Sequence, residues 1–240
     1  MTQVVPVFKR EFLGYFRTPV AYVVLGVFHL IATVVTFFAS GLLKSDSASL
    51  EPFFFWMPWI FVFVVPAAAM RLWADEKRSG TIELLFTLPV TTTEAVVGKF
   101  LAAWAFITVG VLLTFPFALT VAYLGDPDWG VIFTGYVGSI LMAAAYLGIC
   151  SLASALTRNQ VIAFLLGAFV CLVIAFLGFS LFSGFISSVL PVGLVDALSN
   201  FSFSTNFDSM TRGLIELRSL VFFAAVTVVT LVANVIVLER

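Results

Sequence analysis

The hydrophobic positions of this chain form long continuous runs separated by short polar segments, unlike the amphipathic stripes of a water-soluble protein. A helix needs about 20 apolar residues to cross the hydrocarbon core of a bilayer. Six runs are close to this length or longer, and each predicts a membrane-spanning helix. Their approximate bounds are 19–43, 52–70, 95–124, 131–156, 161–182 and 220–238. The pattern therefore predicts an all-α integral membrane protein with a single transmembrane domain over residues 1–240.

Prolines and charges refine this prediction. Pro58, Pro66 and Pro116 lie inside the predicted spans and are expected to kink them. The third run is long enough to tilt or to extend beyond the bilayer. With Lys99 assigned to the cytoplasmic end of that run, we expect no lysine, arginine, aspartate or glutamate in the interior of the spans. This absence favours an amphiphilic cargo (a lipid-linked sugar, a lipid or a peptide) or the transmission of force without a cargo.

Composition excludes two classes of protein. Of the 240 residues, 62% are hydrophobic and 10% are charged, whereas a soluble domain has about 25% charged residues. The chain therefore has too little polar surface for a water-soluble globule. Its net charge of −1 provides no basic field for phosphates, so we expect no nucleic-acid partner.

The basic residues near the span ends predict the orientation, because they favour the cytoplasmic side. A cytoplasmic N-terminus places nine of the twelve basic residues inside and leaves Lys44, Arg212 and Arg218 outside. The inside set is Lys9, Arg10, Arg17, Arg71, Lys77, Arg78, Lys99, Arg158 and Arg240. We therefore expect a multi-pass protein of the plasma (inner) membrane with both termini in the cytoplasm.

Residues 3–18 have the pattern of an amphipathic helix rather than of a span. Apolar residues recur at roughly helical spacing, with Lys9, Arg10 and Arg17 between them. Such a helix is expected to lie along the inner membrane interface, with its basic side chains near anionic lipid headgroups. The alternative is a solvated tail that leads into the first span.

The most polar stretch, residues 71–90, is predicted to form a helix, a break and a second helix. In the first helix, Asp75 and Glu76 precede Lys77 and Arg78. This order suits the helix dipole, which favours acidic residues near the N-terminus and basic residues near the C-terminus.

The break and the second helix are predicted from three further residues. Gly80 can take the left-handed conformation that ends a helix. Thr81 can cap the next helix, with Glu83 in its first turn, and Pro89 ends it. A short rigid helix with apolar and charged side chains at the membrane surface suits the docking of a soluble partner. The alternative is an ordinary loop that extends its charges into water.

Three motifs resemble those of ABC-2 type permeases, the membrane subunits of type V ABC exporters. The central one is E-K-R-S-G-T-I-E-L-L-F-T-L-P-V at 76–90, followed by Gly98 and Lys99. The N-terminal K-R-E-F-L-G-Y-F-R-T-P at 9–19 resembles the interface helix of that family. Near the other end, F-D-S-M-T-R-G-L-I-E-L-R at 207–218 resembles the subgroup of gliding-motility-type permeases.

The resemblance implies that the segment 71–94 is a cytoplasmic coupling hairpin, which fits a cleft on a separate ABC ATPase and transmits its closure to the spans. It also implies a second permease subunit, either another copy or a paralogue. The matching positions are Glu76, Ser79, Gly80, Thr81 and Glu83. Glu83 is the first candidate for the contact with the ATPase or with the interface helix, where Arg10 or Arg17 is a candidate partner.

The chain itself has no motif for nucleotide binding. Its Gly98-Lys99 pair is followed by Phe100, and Thr93 stands where a phosphate-binding loop has its first glycine. We therefore expect no enzyme activity and no cofactor on this chain, with ATP and Mg²⁺ bound by the partner ATPase.

The remaining candidates for chemistry are few. Cys150 and Cys171 lie within apolar runs without metal-ligand spacing, and are expected to pack as small hydrophobic residues. His29 lies within the first span, where an ionisable group is a functional candidate. A neutral imidazole hydrogen-bonded to a neighbouring helix is the simpler interpretation.

The segment 183–217 is too apolar for a free loop and too interrupted by glycine and proline for a seventh span. Short re-entrant helices on the extracytoplasmic side are predicted, and the family resemblance implies the same. Its charged residues are expected to pair with each other, to contact an external partner, or to be solvated. These residues are Asp196, Asp208, Arg212 and Glu216.

The sequence thus favours a permease subunit of an ATP-driven exporter that dimerises, contacts membrane lipids and binds an ATPase. The alternative is a non-transporting membrane scaffold that uses the hairpin to recruit a cytosolic protein. A channel or secondary transporter would predict buried charges or two repeated halves, and neither is found in the sequence.

Overall fold

The computed structural model describes residues 3–39, 49–81, 90–179, 195 and 198–239. The regular elements in these ranges are helical. In chain order they are α1 (Val4–Phe16), α2 (Pro19–Thr33) with a π-helical continuation (Val34–Ala39), α3 (Glu51–Ala69), α4 (Ala74–Ser79), α5 (Thr92–Leu112), α6 (Phe115–Leu124), α7 (Trp129–Ala155), α8 (Gln160–Phe176), α9 (Phe203–Thr211) and α10 (Leu217–Leu238). The prediction of an all-α integral membrane protein is confirmed.

Five stretches of the described residues are long and apolar enough to cross a membrane. They are Pro19–Phe38, Glu51–Ser79, Thr92–Leu124, Trp129–Ala155 and Leu217–Leu238. The fifth predicted span, 161–182, corresponds to α8, which has 17 residues, and its last three positions lie outside the described residues. The end of the first predicted span, 40–43, is also outside them. The count of six spans therefore stays a prediction.

The prolines inside the predicted spans have two different effects on their helices. The helix α3 continues through Pro58 and Pro66, and the hydroxyl of Tyr146 on α7 donates a hydrogen bond to the carbonyl of Pro58 at 3.0 Å. By contrast, the third predicted span is two helices, because α5 ends before Thr114 and Pro116 lies in the first turn of α6. Proline is well tolerated there, because the backbone N–H groups of the first turn have no acceptor within the helix. The N–H that proline lacks would therefore make no helical hydrogen bond. The predicted kink at Pro116 is therefore a break just before it.

The helix α7 lies at the centre of the bundle and packs against α3, α5, α8, α9 and α10. Both α3 and α7 are mostly buried within the chain, whereas few residues of α2 and α10 are buried. An exposed apolar helix is stable in lipid or against another subunit, because neither environment is aqueous. The buried centre and the apolar exterior are those of a membrane-embedded bundle.

The short helix α9 falls in the segment predicted to be re-entrant. Its backbone is tied to α7 by the hydroxyl of Thr134, which donates to the carbonyl of Met210 at 2.8 Å. Asp208 and Arg212 form an ion pair at 2.6 Å, one of the pairings expected from the sequence. The residues 183–194 and Asp196 lie outside the described residues, so the re-entrant placement stays a prediction.

Candidate functional site

One buried lysine joins three elements of the chain. Lys99 lies on α5 with 3% of its side chain exposed, and its Nζ is 2.8 Å from Oε1 of Glu76 and 3.1 Å from Oε1 of Glu11. Glu11 is on α1 and Glu76 is on α4. The ammonium also lies 5.2 Å from the centre of the Trp73 ring, within the range of a cation–π interaction. We call Glu11, Trp73, Glu76 and Lys99 the lysine cluster.

The start of α5 sets the position of Lys99. The hydroxyl of Thr91 accepts a hydrogen bond from the backbone N–H of Glu94, and the Glu94 carboxylate accepts one from the N–H of Thr91. This reciprocal arrangement is a capping box, which satisfies backbone donors that the helix start leaves free. Lys99 therefore lies in the second turn of a firmly defined helix.

Lys99, assigned from the sequence to the cytoplasmic end of its span, is a buried charge. It belongs to the apolar stretch Thr92–Leu124 and is enclosed by protein rather than extended to the membrane surface. A buried charge is costly unless it is paired, and two carboxylates provide the pairing here. The absence of buried charge therefore no longer supports an amphiphilic cargo.

Gly98, next to Lys99, lets α1 approach α5 closely. A Cβ atom at this position would lie 2.7 Å from Cγ1 of Val7 and 3.2 Å from the carbonyl oxygen of Val4. Any other residue would therefore push α1 away from the lysine cluster. The Gly98-Lys99 pair has two linked roles, one in close packing and one in charge pairing.

Tyr15 and Glu11 hold α1 against the bundle. The hydroxyl of Tyr15 donates to the carbonyl of Ala68 on α3 at 3.0 Å, and its ring stacks on Phe106 of α5. Burial, and then the charge of Glu11, raise the pKa of Tyr15.

The carboxylate of Glu11 also accepts a hydrogen bond from Arg10 at 2.7 Å. Burial raises the pKa of Glu11, but Lys99 and Arg10 outweigh burial and hold that pKa below its usual value. The helix α1 is thus fastened by charge pairing, by a hydrogen bond and by aromatic packing.

The segment before α4 is fixed to the centre of the bundle. The hydroxyl of Ser154 on α7 accepts hydrogen bonds from the backbone N–H groups of Trp73 and Ala74, both at 3.1 Å. The same hydroxyl donates to the carbonyl of Met70 at 3.0 Å, and the indole of Trp73 donates to Ser151 at 3.2 Å. These bonds hold the polar segment at a defined height against α7.

The inner side of α4 contacts the ends of α7 and α8. Asp75 pairs with Arg71 at 2.8 Å and accepts a hydrogen bond from the side-chain amide of Gln160 at the start of α8. Lys77 donates to the carbonyl of Ala155 at the end of α7. Burial and the charge of Arg158 lower the pKa of Lys77.

The C-terminal end of α4 and the two residues after it are exposed, and they include three of the positions matched by resemblance: Ser79, Gly80 and Thr81. Gly80 has φ +72°, which confirms the predicted left-handed end of the helix. Ser79 turns back to the carbonyl of Asp75 at 2.8 Å and lies 2.9 Å from the hydroxyl of Thr81.

The other two matched positions are not part of this exposed end. Glu76 points inward and pairs with Lys99 of the same chain. Glu83 and the predicted second helix lie outside the described residues. Of the proposed interface-helix residues, Arg10 pairs with Glu11, whereas Lys9 and Arg17 are exposed.

The histidine and cysteine expectations have different outcomes. His29 bonds through Nδ1 to the carbonyl of Leu25 at 2.8 Å, on its own helix, and its Nε2 has no partner among the described residues, so the predicted bond to a neighbouring helix is not found there. The buried thiols Cys150 and Cys171 meet across α7 and α8, with their sulfur atoms 3.7 Å apart. They pack as expected for small apolar side chains.

The fold and this site define an α-helical integral membrane protein whose polar elements are tied together at one end of the bundle. The family profile of ABC-2 family transporter proteins matches residues 28–240. The chain therefore belongs to the ABC-2 transporter family and is a permease component of an ABC exporter. A search of curated proteins gives no match. Membership of the gliding-motility-type subgroup stays a prediction.

Proposed function

We propose that this chain couples ATP hydrolysis on a separate ATPase subunit to the export of a substrate, or to the transmission of force across the membrane. The observation that supports this most strongly is the lysine cluster, which links α4 to both α1 and α5. In this proposal the hairpin 71–94 docks on the ATPase, and the cluster carries its displacement into the membrane.

The end and the inner side of α4 suit two tasks. Its exposed C-terminal end, with Ser79 and the following Gly80 and Thr81, is available to a cytoplasmic partner. Its inner side pairs through Glu76 with Lys99, and through Asp75 and Lys77 with the ends of α8 and α7. A push on the exposed end would therefore reach several spans through these contacts rather than being absorbed by a loose loop.

In the proposed working cycle, ATP binding closes two ATPase subunits, the docked hairpins move with them, and the spans tilt between inward-facing and outward-facing states. ATP and Mg²⁺ belong to the partner, since the sequence has no phosphate-binding loop. The site lies at the cytoplasmic side of the plasma (inner) membrane, with both termini in the cytoplasm.

A second permease subunit, identical or paralogous, is part of the proposal. The helices α2 and α10, of which few residues are buried, provide apolar faces of membrane-spanning length for lipid or for that subunit. Association in lipid relies on close packing rather than on hydrophobic burial, because the surroundings are equally apolar.

The test separates docking from transmission. Tagged protein is purified from native membranes in mild detergent, and its partners are identified. Wild-type protein is expected to retain a P-loop ATPase, and Glu83→Arg is expected to lose it while staying folded. The matched control is Glu51→Arg, which reverses the same charge at an exposed position on α3 and should leave the ATPase bound.

Transmission is tested with Lys99→Met in the isolated complex. This variant is expected to retain the ATPase but to lose the effect of the membrane subunit on its rate of hydrolysis. An unchanged rate would show that the cluster does not transmit the movement. If no ATPase is found even after gentle crosslinking, the non-transporting scaffold becomes the better account.

A further inference from the structure

A cavity of about 250 Å³ lies between α1, α2, α3 and the segment 71–76, beside the lysine cluster. A single water molecule needs only about 10–15 Å³ of such space, so the cavity has room for a small polar headgroup.

The lining of the cavity has two kinds of chemistry. Charged side chains line it, among them Glu11, Arg71 and Glu76. Apolar side chains line it too, including Val20 and Val24 of α2. Val20 is exposed in the first turn of α2, which begins a stretch of membrane-spanning type, so a hydrocarbon chain bound here can continue along α2. A ligand that fits has a charged head and a hydrocarbon tail.

A buried acceptor in the lining selects the head. The carboxylates of Glu11, Asp75 and Glu76 face the cations of Arg71 and Lys99, and Arg10, outside the lining, pairs with Glu11 and balances the charge. The Oε2 atom of Glu76 is buried and has no hydrogen-bond partner among the described residues. A buried acceptor without a donor is unfavourable, and an ammonium group supplies both a positive charge and N–H donors.

Arg71 provides the complementary contact at the rim. Its side chain is 40% exposed, and its Nε is bound to Asp75. The guanidinium has further N–H groups in a planar fork, which suits a phosphate. An ammonium next to carboxylates and a phosphate next to an arginine, joined to acyl chains, describe an aminophospholipid.

We propose that this cavity binds the headgroup of a phospholipid with a primary ammonium, of the phosphatidylethanolamine type. The ammonium contacts Glu76 after a rotation of its carboxylate, the phosphate contacts Arg71, and the acyl chains leave along α2. Binding needs neither nucleotide nor ATPase, so its failure would leave the proposed coupling function untouched.

The experiment uses the full chain, stripped of lipid in detergent and titrated with single lipids under native mass spectrometry. Phosphatidylethanolamine is expected to bind at least tenfold more tightly than phosphatidylcholine, whose methylated ammonium has no N–H donor. Phosphatidylethanolamine should also bind more tightly than phosphatidylglycerol, which has no ammonium, by a similar factor. Equal binding of the three lipids would overturn the proposal. If soluble phosphoethanolamine binds equally tightly, the bound headgroup need not belong to a lipid, and the proposal of a lipid ligand is overturned.

Two glycines locate the site. The position of a Cβ on Gly14, which lines the cavity, and on Gly26, which does not, meets no other atom within 4 Å. Gly14→Phe is therefore expected to fill the cavity and reduce phosphatidylethanolamine binding at least tenfold, whereas Gly26→Phe leaves it unchanged. Arg71→Gln should weaken binding, and Arg78→Gln, at an exposed position on α4, should not. Unchanged binding in a folded Gly14→Phe protein would refute the location.

Discussion

The buried ammonium of Lys99 is paired with the carboxylates of Glu11 and Glu76. Removal of one partner from a buried ion pair leaves an uncompensated charge, which typically costs about 3–5 kcal/mol. Both carboxylates here are about one-fifth exposed, which favours the lower end of that range. The stability of the cluster thus depends on a single ammonium group.

Lys99→Met is expected to reduce the free energy of unfolding by about 3 kcal/mol. For a protein of this size that corresponds to a fall in Tm of roughly 6–12 °C, measured in detergent. The exposed Lys9 is the matched control, and Lys9→Met should change Tm by no more than a degree or two. Similar Tm values for the two variants would contradict the pairing.

Glu11 predicts a dependence of stability on pH. Its pKa in the folded protein lies below the ordinary value of 4.5, so the ionised carboxylate favours folding. This contribution is complete above about pH 4.5 and is lost as the pH falls below it. Wild-type Tm should therefore decrease more steeply between pH 5 and pH 3.5 than the Tm of Glu11→Gln. Parallel curves would show that Glu11 does not contribute.

At the scale of single residues, the sequence predicts features within one helix well and contacts between distant residues poorly. The charge order of α4 and the left-handed Gly80 follow from rules that act within one helix. The capping box of Thr91 and Glu94 was equally local and was missed, although T-x-x-E before an apolar run is its signal. The ion pairs of Lys99 join distant parts of the chain, and nothing in the spacing specifies that they meet.

Among the elements, α1 depends on a single glycine for its closeness to α5. Gly98→Leu would place a side chain where Val7 now packs, which typically costs about 1–3 kcal/mol. We expect faster hydrogen–deuterium exchange across Val4–Phe16, with little change in α7. Gly26→Leu, which adds the same side chain in open space, should leave exchange in α1 unaltered. Equal protection of α1 in both variants would refute the close packing.

The apolar runs predicted the position of most helices, because length and hydrophobicity suffice to identify a spanning segment. They did not separate α5 from α6. Pro116 was interpreted as a kink within one helix, yet a proline in the first turn of a new helix gives the same sequence pattern. At the break between α5 and α6, the hydroxyl of Thr114 donates a hydrogen bond to the carbonyl of Val111 at 2.6 Å.

For the whole molecule, the two cysteines report on the integrity of the bundle. Cys150 and Cys171 are the only cysteines of the chain, and both are buried between α7 and α8. A thiol-reactive maleimide dye should therefore label native protein very slowly, and the labelling on heating should follow global unfolding. Rapid labelling at 25 °C would show that α7 and α8 separate in the native state.

Because Glu11 and Glu76 share one ammonium, the two carboxylates compete for it. Withdrawal of α4 would free the full charge of Lys99 for Glu11 and strengthen the hold of α5 on α1, while a closer approach of α4 would relax that hold. The Lys99–Glu76 and Lys99–Glu11 contacts therefore change in opposite directions. A movement of α4 toward Lys99 would weaken the attachment of α1 to α5, and a movement of α4 away from Lys99 would strengthen it.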